Sequence, residues 1–458
     1  MKLLLIVVLL LAASALAACD TAIAQEGLGP ARPVAIELKA PIARWDEAIP
    51  LGNGLLGGLL WGTGGTVNLS LDRGDLWDLR TPAPLKADDW NYATIQKLVA
   101  AKNQAKLVAM FDKPYQSFPY PTKIPGGRLE LTFASPHTAK SFRLDVKQAV
   151  GRVDLGAATL EAFYSAEAPV AILSVTGATP TYRILAPAAL KKLGSPPAEM
   201  GSDGAVTWYL QEAALGLKYA AVVASRKRGD GLEIALTVAS TKDGPDPVAI
   251  GRKRVAGALA AGYEKLLTPH EKWWEDFWSR SGVRVPDPAV QSHYDLVQYF
   301  YGAASRRGAP PMPLQGVWTA DAGGLPPWKG DYHHDLNTQF TYYAYQAAGR
   351  FDQGACFLDF MWDHLPAHRT FAKTFYDAKG AAVPGVMPLD GKALGGNDIP
   401  LSRLDPAPDY EQIVAACGGY GEKVTDPDKL QDALARAVKM VREERRQVLL
   451  NVVVSEIV

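Results

Sequence analysis

Apolar and polar residues alternate in short runs through the first half of the chain. Between about Gly27 and Val248, segments such as "SFRLDV", "ATLEAFYS", "PVAILSVTG", "LKYAAVVAS" and "LEIALTVAS" succeed one another, separated by Gly, Pro and Asp. A period of two marks a strand with one face buried. Many such strands with turn residues between them predict a large antiparallel β-sandwich over 27–250. From Val255 to Ser281 the period becomes helical, with Leu259, Tyr263, Leu266 and Leu267, then Trp273, Trp274, Phe277 and Trp278, which predicts a helical linker over 255–281. Beyond the prolines of "VRVPDPAV", the run "QSHYDLVQYFYGAASRR" puts Tyr294, Val297, Phe300 and Tyr301 on one helix face. Further helices are expected over 339–349, 353–363 and 366–378. Successive helices joined by loops make 282–396 an all-α region.

The last stretch, 397–458, has a different pattern. Asp426-Pro427 supplies a cap and a first-turn proline, and Leu430, Leu434, Ala437, Val438 and Val441 form an apolar stripe. The run "VLLNVVV" after it is apolar on both faces, as in a strand buried inside a parallel sheet, yet no further strand is predicted nearby to supply that sheet.

Composition narrows the function classes. The chain has 458 residues, 48% of them apolar, and 33 prolines, enough for two or three domains. Lys plus Arg and Asp plus Glu number 48 each, so there is no general attraction for nucleic acid or an anionic membrane, and a neutral or weakly charged substrate fits better. The opening segment has Lys2, an apolar run from Leu3 to Ala13 and then small residues, which is a signal peptide by size and too short for a membrane span. Leu16-Ala17-Ala18-Cys19 resembles a bacterial lipobox. The expectation is an exported lipoprotein with its leader over 1–19, held at the cell envelope by a lipid on Cys19, and the alternative is ordinary cleavage near Ala18. Cys356 and Cys417 are too few for a disulfide framework and are expected to be buried thiols.

Two glycine motifs have simple explanations. "GNGLLG", Gly52 to Gly57, matches a dinucleotide fingerprint by letter, but the residues after it read as strand rather than helix, so the glycines serve a tight turn. "GDG", Gly229 to Gly231, matches the start of a thiamine diphosphate motif, but it sits between two strands as a hairpin turn.

The densest chemistry is "GDYHHDLNTQF", 330–340. Adjacent His333 and His334 point apart in helix or strand, so only one can join a local cluster, which argues against a metal centre. In an extended segment, His333, Asp335 and Asn337 would share one side and face a single cavity. The other reading is a polar loop before a helix capped by Asn337.

The run "WDEAIPLGNGLLGGLLWGTGGTVNLSLDRGDLWDLR", 45–80, resembles the opening of glycoside hydrolase family 95, the α-L-fucosidases and their relatives. "WWEDFWSRSGVRVPDP", "PMPLQGVWTADAGGLPPWKGDYHHDLNTQFTYYAY" and "VPGVMPLDGKALGG" are similar to that family in the same order, so the resemblance covers roughly 35–396. It implies a β-sandwich, a helical linker, an (α/α)6 toroid and a small β-domain, with inverting hydrolysis of a glycosidic bond in an oligosaccharide or glycan. No cofactor and no metal are implied. The family's H-x-N-x-N segment holds the sugar and positions the water, and it falls on His333, Asp335 in place of the first asparagine, and Asn337. An ionised carboxylate only accepts, so Asp335 could itself serve as a base. His334, Trp318, Trp328 and Tyr332 are further candidates for sugar contact, the aromatic rings through their faces.

In the family, the acid and the base come from later helices of the toroid. A complete toroid takes roughly 200 residues, and 282–396 holds about half of one. The tail over 397–458 resembles the C-terminal end of thiamine diphosphate-dependent enzymes of the acetolactate synthase type, without their cofactor motif. The expectation is a multidomain chain: a β-sandwich, an incomplete all-α toroid with exposed apolar faces, and a short, unrelated α/β tail joined near Gly396. It would be weakly active or inactive as a fucosidase, with a carbohydrate-binding lipoprotein or a non-functional fusion fragment as the alternative.

Overall fold

The computed structural model describes residues 35–321, 323–334, 336–394 and 409–453. The signal segment, Cys19, Asp335 and the junction near Gly396 lie outside the described residues.

Two antiparallel sheets face each other. The larger has nine strands in the order Ala35–Lys39, Ser141–Asp145, Val150–Asp154, Thr159–Tyr164, Ala171–Thr176, Gly231–Ser240, Lys218–Arg228, Val206–Glu212 and Glu199–Ser202. The smaller has five, in the order Thr181–Leu185, Arg128–Thr132, Thr66–Arg73, Leu56–Thr63 and Ile49–Gly52. Alternation sets the faces: in Ser141–Asp145, Phe142 and Leu144 are buried while their neighbours are partly exposed. Gly231–Ser240 is buried along its whole length. The helix Pro247–Ala261 covers its outer face, packing Val255 and Ala258 on Ala220, Val222 and Ala235. Helix and sheet come close at Gly251, where a Cβ would stand 2.4 Å from Val222 Cγ2.

The "GNGLLG" stretch is the turn between Ile49–Gly52 and Leu56–Thr63. Asn53 Oδ1 accepts from Leu56 N at 2.8 Å, Gly54 takes a φ of 90°, and Gly54 N donates to Ala303 O at 2.7 Å, which ties the sandwich to the helical region. "GDG" joins Lys218–Arg228 to Gly231–Ser240, with Gly229 at a φ of 59°.

The structure departs from the expectations in several places. The segment after Pro82 holds helices Tyr92–Ala100, Gln104–Leu107 and Lys113–Ser117, a helical insertion in a region expected to be all strand. The first linker helix begins at Pro247, where Asp246 caps it, and the second is Tyr263–Ser279. Helix Pro288–Ala304 is capped by Asp287, but it buries Gln291, Asp295, Gln298, Tyr299 and Tyr301. On the expected face Tyr301 is buried but Val297 is exposed, while the next residue, Gln298, is buried with its Oε1 3.1 Å from Arg350 Nε. The helix expected over 339–349 is the shorter Asn337–Tyr343, followed by Phe351–Asp363 and Leu365–Tyr376.

In the tail, strand Val448–Val452 pairs parallel with Tyr420–Val424, a neighbour that the apolar pattern did not predict. Neither strand is deeply buried, and Leu434, Val438 and Val441 of helix Leu430–Glu443 are exposed. Cys356 is a buried thiol as expected, but Cys417 is exposed, because it ends the short helix Tyr410–Ala416 with nothing packed over it. No helix among the described residues is long and apolar enough to cross a membrane.

Candidate functional site

The site is assembled by the loop between Pro310 and Asn337, which the sandwich fixes from below. Lys123 and Asp72 are both fully buried, 3.9 Å apart. Lys123 Nζ donates to Val317 O at 2.7 Å, and Asp72 Oδ2 accepts from Thr319 N at 3.2 Å. Burial pushes the Asp72 carboxyl up and the Lys123 amine down, each opposed by the other's charge. Arg128 grips Asp321 through Nε at 2.7 Å and Nη2 at 2.9 Å. These pairs act as anchors for the loop rather than as chemistry.

Past that anchor the chain takes a strained turn. Trp328 and Lys329 both adopt left-handed backbone angles, with φ of 55° and 58°. Non-glycine residues held there are costly and persist only where surrounding contacts hold them. Lys329 Nζ donates to Phe118 O, and Lys329 O accepts from Thr122 Oγ1 at 3.2 Å. Burial brings the Lys329 amine down to about 8, while the charges of Asp331 and Asp78 oppose the shift. The turn leaves Trp328 63% exposed, edge-on to the His333 ring at 5.2 Å.

The paired strand is Tyr332–His333, opposite Val386–Met387; His334 N then donates to Gly385 O at 2.6 Å. The strand is too short to put three alternate residues on one side. A helix begins at Asn337 with Leu336 at its cap, so Asn337 is the first helical residue and not the capping one. His333 and Asn337 nevertheless meet. With Leu314, Gln315, Pro327 and Trp328 they line one cavity of about 240 Å3. Asp335, between them in the chain, lies outside the described residues.

The other candidates lie elsewhere. Tyr332 is fully buried, its ring against Trp77 and Phe360 and its hydroxyl donating to Pro311 O at 2.9 Å, so it offers no face to a sugar. His334 points away from His333 and is buried between Tyr332 and Phe357, with ring centroids 6.2 and 5.9 Å away. Trp318 donates its indole N–H to Leu51 O at 2.8 Å and borders a larger, mostly apolar groove of about 670 Å3 that also has Phe300, Met312 and Phe340 in its wall. Leu314 and Gln315 line both spaces. Among the described residues, no group of three or more His, Cys, Asp or Glu side chains could hold a metal ion.

Two residues at the site were not among the sequence candidates. Asp331 is completely buried, its Oδ1 2.7 Å from His333 Nδ1, and its Oδ2 accepts from the Tyr115 hydroxyl at 2.9 Å. Burial pushes the Asp331 carboxyl up, and His333, Tyr115 and Lys329 oppose that shift. Tyr115 comes from the helical insertion, whose signal was legible: Asn91 as a cap, then Ile95 and Leu98 at helical spacing.

Residues 268–393 match the glycosyl hydrolase family 95 catalytic domain, and residues 36–245 match the N-terminal domain of glycosyl hydrolase family 65. The region 268–393 is thus similar to the catalytic domain of glycoside hydrolase family 95, and the curated relatives are α-fucosidases. Alpha-L-fucosidase 2 of Arabidopsis thaliana is 22% identical over 409 residues, covering 69% of this chain and 47% of that one. The protein named "Probable alpha-fucosidase A" of Aspergillus niger is 25% identical over 128 residues, covering 23% of this chain and 16% of that one. A solved structure assigned as a kojibiose phosphorylase from the human microbiome superposes with a TM-score of 0.53 at 12% identity, over 80% of this chain and 51% of that one. It shares the order of a sheet-rich N-terminal domain and a helical C-terminal part. The chain spans about half the length of the Arabidopsis relative and less of the Aspergillus one.

Proposed function

We propose that this chain carries the sugar-binding part of an inverting glycoside hydrolase for α-L-fucosyl or related linkages, its helical region forming part of an (α/α)6 toroid. One observation carries this reading: His333 and Asn337, the first and last positions of the H-x-N-x-N-like segment, line one small cavity whose rim is the exposed indole of Trp328. An aromatic face at the rim suits the apolar side of a sugar ring, while imidazole and amide suit its hydroxyls. Inverting chemistry further needs an acid at the leaving oxygen and a base on the water, their carboxyl groups roughly 6.5 to 9.5 Å apart. Asp335, in place of an amide, is our candidate for accepting the water's proton. The leader reading places the protein at the cell envelope through a lipid on Cys19.

A second reading is glycan binding without turnover. What favours it is Trp328, whose exposed indole at the edge of the cavity suits holding a sugar ring whether or not a bond is cleaved. Two measurements on the full chain separate the readings: release of the aryl alcohol from an aryl α-L-fucoside, and titration with an L-fucose-terminated oligosaccharide. Release that falls in Asp335→Asn supports hydrolysis. Saturable binding that weakens in Trp328→Ala, without release, supports the second reading. Absence of both binding and release sinks the two together.

A further inference from the structure

The strand pair of the tail, Tyr420–Val424 and Val448–Val452, has no third strand among the described residues. Both of its faces carry a helix. On one, a Cβ at Gly421 would collide with Glu411 O of helix Tyr410–Ala416, and Asn451 Nδ2 donates to Glu411 Oε2 at 2.6 Å. On the other, Glu422 accepts from Arg436 Nε of helix Leu430–Glu443 at 3.2 Å. What stays open is the edges, and they differ. Tyr420–Val424 includes Glu422 and Lys423, charged side chains of the kind that guard an edge against foreign strands, whereas "VLLNVV", 448–453, has neither a charge nor a proline. Gln447 O accepts from Tyr420 N, and Val453 N donates to Val424 O. Alternation then turns the backbone N–H and C=O groups of Val448, Leu450 and Val452 toward the open edge.

Helix Leu430–Glu443 adds a second surface on that side. Ala433 is completely buried, with Ala437 and Met440 half-buried along the same line. A helix that joins two parallel strands crosses over in the right-handed sense, and in that sense the residues a quarter-turn on, Leu434, Val438 and Val441, look out beyond the Val448–Val452 edge. These three are 48% to 51% exposed. The helix is also polarised along its length. Asp426, Asp428 and Asp432 outnumber Lys429 at its start, and four bases from Lys439 to Arg446 outnumber two acids at its end.

We propose that the open edge of Val448–Val452 takes the same strand of a second copy of this chain. Pairing is antiparallel about a two-fold axis normal to the sheet. It gives four strands with both Leu430–Glu443 helices on one face, apolar stripe against apolar stripe and the acidic start of each helix beside the basic end of the other. A second copy fits because an uncharged edge, an apolar stripe and helix ends of opposite sign are each their own complement under that symmetry. The inference does not depend on what the cavity beside His333 holds.

Sedimentation velocity of the full chain over a range of concentrations tests this, with circular dichroism to check folding. The native chain should sediment as a dimer that dissociates on dilution. Leu450→Pro removes an outward N–H while sparing the inner ladder, and it should be monomeric. Two charge variants probe the antiparallel arrangement. Asp428→Arg with Asp432→Arg, and separately Arg442→Glu with Arg445→Glu, each set like charges together in a pair of identical copies, so each alone should dimerise roughly tenfold more weakly or worse. Mixed in equal amounts they should restore the dimer, because opposite charges meet again at both ends. If Leu450→Pro fails to fold, the charge variants decide by themselves. A native chain that is monomeric throughout overturns the inference. So does association of any size that Leu450→Pro and the charge variants leave unchanged, or a mixture that associates no more tightly than its components.

Discussion

In the sandwich, inward positions such as Leu60, Phe142 and Ile234 are completely buried, whereas in the helices after Pro288 the side chains of Phe340, Tyr343, Phe351 and Trp362 are 63% to 81% exposed. Both regions carry apolar residues at the spacing their elements call for. The difference lies in partners. Each sheet of the sandwich finds its cover in the other sheet or in the Pro247–Ala261 helix. The later helices, and helix Leu430–Glu443 in the tail, present faces that nothing among the described residues covers. Pattern specifies a face, and burial needs a second surface. Exposed apolar area of this kind marks an interaction surface or an aggregation liability.

Substitutions across the two regions sharpen this contrast. The largest effect belongs at the seam where the linker meets the core. Trp274 is fully buried, stacked on Tyr299 at 5.2 Å, and Trp274→Ala should cost about 3–5 kcal/mol in denaturant unfolding. A loss under 1 kcal/mol would mean the linker is not part of the folded core.

The second effect is a pH dependence at the same seam. Burial holds His270 down to about 4, with its Nε2 2.8 Å from Gln148 O and its ring 4.5 Å from Phe163. An unfolded histidine takes its proton near 6.5, so between about 6.5 and 4 the unfolded chain binds a proton that the folded chain refuses. Stability should therefore be intact above about 6.5 and fall as pH drops toward 4, by on the order of 3 kcal/mol. His270→Gln should flatten that slope in unfolding midpoints measured across the window. An equal slope in the variant would assign the effect to other groups.

Smaller changes belong to caps and to uncovered faces. Asp246 Oδ1 accepts from Ala249 N at 2.9 Å, and Asp246→Ala should cost about 1 kcal/mol, read from the same midpoints. At the small end stands Val438→Lys on the uncovered tail stripe. It should shift stability by less than about 0.5 kcal/mol and should reduce self-association in sedimentation. A loss of several kcal/mol there would mean that the stripe is covered after all, and the contrast between the two regions would break.

Much of the architecture was legible. The five quoted strands, both glycine turns, the change to helix and the Asp426 cap all come from local rules of period and cap chemistry. The errors came where a tertiary partner overrode the local pattern. Helix Pro288–Ala304 buries Tyr301 as expected but also polar Gln298, whose Oε1 lies 3.1 Å from the Nε of buried Arg350, and it leaves Val297 exposed. Tyr332 and His334 looked like site residues beside His333, but aromatic rings from Phe357–Phe360 and Trp77 enclosed them. Tyr115 escaped notice because it lies 216 residues from Asp331 in the chain.

By itself the sequence determined most of the strands and helices and where they turn, and it brought out the spacing of His333 and Asn337, because these depend on neighbours a few residues apart. Only the tertiary structure decided which faces are covered, that Trp328 is held out by a strained turn, and that Asp331 and Tyr115 stand behind His333. Those outcomes depend on surfaces and charges brought together from distant parts of the chain, and no local period encodes them.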